Sequence, residues 1–243
     1  MLWMGLIVGS FLNVCIYRLP QNKSIIRPPS HCIQCNMRLH LCDLVPVISY
    51  LFLRGKCRYC GTSVPPRYVV VEIITGVLFL WCFQVVGLGP ELIKVLTFTS
   101  FLIVITFIDY DHQLILDKVL IWFFVAGVGI NLYIGYPTIS DMLTASLTGG
   151  GLLLIIAVIT RGGMGGGDIK FVAALGLWLG LKLTLLTLFL SFIIGGIGGA
   201  LLLLLKLKSR KDFIPFGPFI ALGAFVSMMY GYDLIRWYFY ISR

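Results

Sequence analysis

The sequence predicts an all-α polytopic membrane protein of about eight transmembrane helices, with one long cysteine-bearing loop outside the bilayer. Three observations carry that prediction. Of the 243 residues, 59% are apolar and only 12% charged, whereas a soluble domain carries about 25% charged residues; the mean hydropathy is +0.98. The apolar residues fall into segments near the ~20 residues that a helical span needs. The basic residues alternate from gap to gap along the chain, as they do when a chain crosses a membrane repeatedly.

In order, the apolar segments cover residues 2–17, 69–87, 91–108, 119–135, 142–160, 170–181, 183–205 and 216–235. Met1–Cys15 lacks a basic start and runs into Tyr17-Arg18 instead of a small-residue cleavage site, so it reads as a short first span. The sixth segment is also short. It meets the seventh at Gly180-Leu181-Lys182, where one broken helix is the alternative to two. The charges favour two. With eight spans, fifteen of the nineteen Lys and Arg fall in one set of gaps: eight between Arg18 and Arg67, then Lys118, Arg161, Lys170, Lys206, Lys208, Arg210 and Lys211. Only Lys94, Lys182, Arg236 and Arg243 fall on the other side. The positive-inside rule puts the first set in the cytoplasm and both termini outside. The organisation expected is a first helix over 1–17, a cytoplasmic loop over 18–68 and a bundle of about seven helices over 69–243. The net charge of +9 then belongs to topology and to anionic lipid headgroups, not to nucleic acid.

The cytoplasmic loop holds four of the seven cysteines as two C-x2-C pairs, Cys32/Cys35 and Cys57/Cys60. Each pair can turn two thiolates onto one ion, and two pairs complete a tetrahedral set of sulfurs, the donor set of a structural zinc site. Disulfides and unrelated thiols are the alternatives, but disulfides are rare in the cytoplasm. Four protein ligands close the coordination sphere, so Zn²⁺ here would fold the loop rather than catalyse. Gly61 suits the turn after the second pair. Cys15 and Cys82 lie in spans and read as small apolar residues, and His31, His40 and Cys42 as surface or packing residues.

Ten acidic residues are present. Glu91, Asp141 and Asp233 fall at the external side and read as solvated; Asp43 lies in the loop and Asp212 in a basic run. Glu72, Asp109, Asp111, Asp117 and Asp168 remain, all near cytoplasmic ends of spans. Asp168 sits in Arg161–Lys170, RGGMGGGDIK, whose glycines break helix and let another backbone come close. Two carboxylates from different helices at one depth suggest an aspartyl protease dyad, in which a shared proton lets one group activate water while the other protonates a carbonyl oxygen. Helix capping by Asp168 and an ion-binding transporter site are the competing readings. The glycine run is not a phosphate loop, because Asp168 stands where a lysine is needed, nor does it fit G-x-G-x-x-G. The three histidines form no H-E-x-x-H, and no G-x-S-x-G occurs.

Five ordered motifs resemble the type IV prepilin peptidases, bacterial inner-membrane aspartyl proteases of the GxGD type. They are Gly9–Pro20 (GSFLNVCIYRLP); the two cysteine pairs with Asp43–Cys60 and Arg67–Glu72; Phe107–Asp117 (FIDYDHQLILD); Met164–Lys170 (MGGGDIK); and Ile214–Phe219 (IPFGPF). The resemblance implies that Asp109 and Asp168 are the catalytic pair. Asp109 is preferred to Asp111 because an Ile-Pro-Asp-like element, here Ile115-Leu116-Asp117 with Leu116 in place of proline, follows it six residues on. It implies a zinc tetrad of Cys32, Cys35, Cys57 and Cys60, and the presence of that loop favours the bacterial branch. It also implies the activity: cutting the basic leader from prepilins and pseudopilins after glycine, at the cytoplasmic face. The new N-terminal residue, usually Phe, is then methylated with S-adenosylmethionine. No glycine loop in this chain speaks for the methyl-transfer half. Gly165, Gly166 and Gly167 would admit an extended peptide backbone, and Lys170 and Glu72 would orient substrate or form plain ion pairs. A transporter would need polar groups deeper in several spans, and a zinc-organised scaffold would need no carboxylate pair.

Overall fold

The structure, a computed structural model, describes residues 1–205 and 215–241. The basic run from Lys206 to Lys211, Asp212, Ile214 of the C-terminal motif and Arg243 lie outside the described residues. Within them the regular elements are helical, apart from two isolated β-bridges. Eight longer helices coincide with the eight apolar segments: α1 (Leu2–Arg18), α3 (Arg67–Val86), α4 (Pro90–His112), α5 (Asp117–Ile134), α6 (Ile139–Ile159), α7 (Gly166–Leu179), α8 (Leu181–Leu204) and α9 (Gly217–Ile241). A short α2 (Ile48–Phe52) lies in the loop. Six of the eight are long and apolar enough to cross a membrane; α1 with 17 residues and α7 with 14 are shorter. The chain is thus a multi-pass helical membrane protein. The sixth and seventh segments are two helices, separated at Gly180, whose φ of +74° no ordinary helix tolerates.

The chain divides into two compact units, Met1–Leu92 and Ile93–Arg243. In the first, α1 packs along α3 through small residues. A methyl group on Gly5 would lie 2.7 Å from the Gly76 Cα, and one on Gly9 would lie 2.8 Å from the Glu72 Cα. Close backbone approach through small residues is how helices associate where no water drives them together. Asn13 Nδ2 donates to the Tyr68 carbonyl at 2.8 Å.

The loop of the first unit holds two copies of one hairpin, 25 positions apart (Cys32 to Cys57, Cys35 to Cys60). In the first copy Cys32 N–H donates to Met37 O and Leu39 N–H to Ser30 O; in the second Cys57 N–H donates to Thr62 O and Val64 N–H to Gly55 O. The residue after each second cysteine, Asn36 or Gly61, has positive φ, which Asn and Gly tolerate best. Asp43 ties the copies together by accepting from Arg58 Nε at 2.6 Å, Tyr59 Oη at 3.0 Å and His40 N–H at 3.1 Å.

In the second unit α7 is the centre, with nine of its fourteen residues buried. This explains why its sequence is apolar all round despite its shortness. Phe98 of α4, Phe123 of α5 and Trp178 of α7 form its aromatic core, Phe123 stacking on Trp178 at 5.1 Å between ring centroids. Trp178 Nε1–H donates to Phe123 O at 2.9 Å, and Asn131 Nδ2 to Leu177 O at 2.7 Å at the C-terminal end of α7. The buried hydroxyls of Thr99, Thr184, Thr187 and Ser191 donate to carbonyls four residues back in their own helices, the satisfaction a hydrocarbon setting requires.

One sequence reading changes here. Asp141, read as solvated, accepts the Leu181 N–H at 3.1 Å and so caps the start of α8. The glycines of α8 that face a neighbour are Gly195 and Gly198, against Phe216 and Phe219; Gly199 faces open space.

Candidate active site

Burial sorts the carboxylates that the sequence left together. Asp109 and Asp168 are 5% and 7% exposed, whereas Asp111 and Asp117 lie on the surface. The helical period is the reason. On α4, Phe98, Leu102, Ile105 and Asp109 follow at three- and four-residue steps and form one inward stripe. Asp111, two residues on, falls on the opposite face. On α7, Asp168 begins the equally buried series Phe171, Val172, Leu175 and Trp178. Asp109 sits in the last turn of α4, and Asp168 is the third residue of α7. Asp168 lies close enough to Asp109 for that carboxyl's charge to act on it.

Each carboxyl also meets a backbone amide. Asp109 Oδ2 accepts the Gly217 N–H at 3.1 Å. Gly217 opens α9 and precedes Pro218, so this N–H is one of the free donors at a helix start and points along the favourable end of its dipole. No other residue fits there: a Cβ on Gly217 would fall onto the Asp109 carboxyl. The Asp168 carboxyl lies against Gly165, the residue before α7, as an acidic residue in a first turn does. Asp168 is thus not the cap of a helix starting near Ile169, since α7 starts at Gly166 with Gly165 as its cap. Gly217 is the site residue that sequence reasoning left unassigned. The signal was present in Gly217-Pro218, because Pro favours the first turn of a helix, but the partner 108 residues away could not be read.

The other candidates fall as follows. Gly167 packs on Ile115, where a Cβ would come within 3.0 Å; Gly165 lies against the Asp168 carboxyl; Gly166 faces open space. Lys170 is bound at 2.8 Å to Asp117, with both side chains more than half exposed. Glu72, in the first unit, is buried and accepts the Val47 N–H at 2.8 Å, anchoring the loop to α3. Leu116 precedes α5 with φ of −75°, inside the range of the proline expected at this place.

The sulfurs of Cys32, Cys35, Cys57 and Cys60 all lie within 4.8 Å of one another. Four sulfurs ~2.3 Å from a central zinc in tetrahedral array stand about 3.8 Å apart; Cys32 and Cys60 are 3.8 Å apart. The donor set and its spacing fit zinc, and all seven cysteines are free of disulfides. The Thr62 hydroxyl, 3.3 Å from Cys60 Sγ, is the first cause that pulls the Cys60 thiol down to about 6, toward the thiolate a metal needs.

Residues 3–86 match the bacterial peptidase A24 N-terminal domain, and residues 96–200 match the type IV leader peptidase family. The chain is similar to the prepilin leader peptidase/N-methyltransferase of Bacillus subtilis (strain 168), 35% identical over 96% of this chain and 94% of that protein. It is also similar to proteins of the same name from Aeromonas salmonicida, 31% identical over 96% and 91%, and from Neisseria gonorrhoeae, 31% identical over 92% and 87%. No solved structure matches the chain.

Proposed function

Because the chain belongs to the type IV leader peptidase family, we propose that Asp109 and Asp168 are the catalytic pair with which it cuts the leader from type IV prepilins or pseudopilins. The enzyme is a prepilin peptidase of the bifunctional kind that is also an N-methyltransferase. The observation that carries the residue assignment is the burial of both carboxyls at helix ends, with Asp109 held by the Gly217 amide.

Two like charges at short range favour one shared proton. The ionised carboxylate takes a proton from water as the water oxygen attacks the peptide carbonyl carbon. The protonated partner gives its proton to the carbonyl oxygen. When the tetrahedral intermediate collapses, the C–N bond breaks, the amine leaves with the proton held by the first carboxyl, and the second recovers its own from the new hydroxyl. Gly166, which faces open space two residues before Asp168, leaves room for an extended substrate backbone. S-adenosylmethionine would supply a methyl group for the new N-terminal amine. Zinc, held by the four cysteine sulfurs, would shape the loop and take no part in the cut. The positive-inside distribution supports an inner-membrane protein with a first span over 1–17, a cytoplasmic loop over 18–68 and a helical bundle over 69–243, whose carboxyl pair also faces the cytoplasm. Eight crossings, including α1 and α7, fit that distribution best.

An ion-transport site has less support: the buried hydroxyls of Thr184, Thr187 and Ser191 on α8 are engaged with carbonyls of their own helix. The test is mass spectrometry of a prepilin N-terminus after incubation with the purified enzyme. Asp109→Asn and Asp168→Asn should each lower cleavage at least a thousandfold while inserting normally, and Asp111→Ala should keep substantial activity. Full processing by either of the first two variants would remove the dyad.

A further inference from the structure

The cysteine loop leaves one apolar face uncovered. In α2, Ile48, Leu51 and Phe52 stand at three- and four-residue steps and share one side of the helix. Leu51 is 66% exposed and Phe52 85%. Tyr50 falls on the opposite side, where it packs over Gly55 and its hydroxyl donates to Val64 O at 3.3 Å. The second hairpin thus takes the inner side of α2 and leaves the outer side bare. The short turn Leu41–Asp43 packs on α2 and carries Leu41, 86% exposed. The depth of this face is set by a hydrogen bond. The Val47 N–H, at the start of α2, donates to Glu72 of α3 at 2.8 Å. Glu72 is the sixth residue of α3, so it stands roughly 7.5 Å along the axis from the first, at 1.5 Å per residue. Because α3 is long and apolar enough to cross a membrane, α2 is held level with the second turn of a span. The surroundings carry one sign of charge. Residues 18–68 hold eight Lys and Arg against the single acid Asp43, a net charge of +7. Arg54 and Lys56, directly after α2, are exposed. Zinc with four thiolates carries two negative charges and leaves the balance positive.

We propose that α2 is an interfacial membrane anchor: Ile48, Leu51 and Phe52 enter the lipid surface beside α3, and Arg54 and Lys56 meet anionic headgroups. The inference goes beyond the peptidase reading and needs only that α3 crosses the membrane. Three arguments meet here. First, interfacial helices sink their apolar side ~5–10 Å into the boundary between headgroups and acyl chains, and the Val47–Glu72 hydrogen bond holds α2 at that level of the span. Second, neighbouring large apolar side chains left in water and rimmed by cations mark a contact surface. Third, anionic lipid attracts basic segments next to a span. A basic peptide is repelled by those same residues, which favours the bilayer over a prepilin leader as the occupant. The loop is then fastened to the membrane at the start of α3 and again at α2, so the hairpins lie close against the lipid surface.

The test is hydrogen exchange of the full-length, zinc-loaded protein, one copy per nanodisc, in discs of phosphatidylcholine alone or mixed with phosphatidylglycerol. The amides of 49–53 should exchange about tenfold more slowly in the anionic discs, because a bound lipid surface opposes local opening of the helix. Salt at ~1 M, where the Debye length is about 3 Å, should shrink that difference. Leu51→Ser with Phe52→Ser should abolish the slowing, and Arg54→Gln with Lys56→Gln should abolish its dependence on anionic lipid. In both variants the Cys32 and Cys57 amides should keep their protection and the zinc content should stay the same. The lipid and salt comparisons are made on wild type, so a variant that fails to fold does not decide the matter. Equal exchange at 49–53 in anionic and neutral discs, or slowing that persists in the serine variant, would overturn the anchor. Protection that arises only with a second copy in the disc, or only on adding a prepilin peptide, would overturn it too and give the face to a protein partner. These outcomes leave the catalytic pair standing, since that is decided by cleavage with Asp109→Asn and Asp168→Asn.

Discussion

The cysteine loop and the carboxyl site both gather polar groups from distant parts of the chain, but by different means. In the loop the work is local. Each hairpin is closed by its own backbone hydrogen bonds within ten residues, 30–39 and 55–64, and each presents two sulfurs. Only the docking of one finished hairpin on the other is long-range. The carboxyl site has no local version. Asp109, Asp168 and Gly217 come from three helices, and each is aimed by the burial of its own helix face. A set of metal-ligating thiols can therefore be written as a short motif, whereas the proposed carboxyl pair is assembled only when the bundle is packed.

Substitutions can break or sharpen that contrast. The largest effect belongs to Cys57→Ser, which should cost essentially all bound zinc, since structural zinc supplies of the order of 10 kcal/mol of folding free energy. Elemental analysis reads the metal. Hydrogen exchange should show the loop unprotected while the amides of α7 keep their protection; loss of protection in α7 as well would erase the distinction between a locally built and a tertiary site.

Next comes Gly217→Ala. The added methyl must displace the Asp109 carboxyl, and a misplacement of about 1 Å can cost ~100-fold in rate. The loss should appear in kcat, with zinc content unchanged and KM little moved. An unaltered kcat would mean that the Gly217 amide does not position Asp109.

The smallest effect is expected at Asp43. Burial pushes its carboxyl up, but the hydrogen bonds from Arg58, the His40 amide and Tyr59 outweigh it and hold it below the usual carboxylate range. A carboxyl with a lowered folded value stabilises above its unfolded value of about 3.9 and loses that contribution as pH falls through the lower folded one. Wild type should therefore outlast Asp43→Asn in limited proteolysis of the loop at neutral pH, and the difference should vanish in acid. A difference that grows as the pH falls would contradict the sign.

Much of this was legible in advance because it is periodic or local. Helix positions followed from apolar runs, and Asp168 from the glycines beside it. What was missed involved a backbone partner far along the chain. Asp141 reads as a solvated acid until the start of α8 is brought to it. Gly217 reads as a helix start until Asp109 lies against it. Asp43 reads as a lone acid in a basic loop until the two hairpins dock.

By itself the sequence determined that the chain enters a membrane as helices, which residues could hold a metal, and which carboxyls could be catalytic. Those properties follow from composition, period and short spacing, and they survive any arrangement of the helices. Tertiary structure alone decided that Asp109 and Asp168 are both buried while Asp111 is not, that a helix-start amide holds Asp109, and that an apolar cleft opens beside Asp168. The reason is physical: these depend on which helix faces meet, and in a chain whose helices are apolar on nearly every side, hydrophobicity does not choose the face. Small residues, aromatic packing and single hydrogen bonds do.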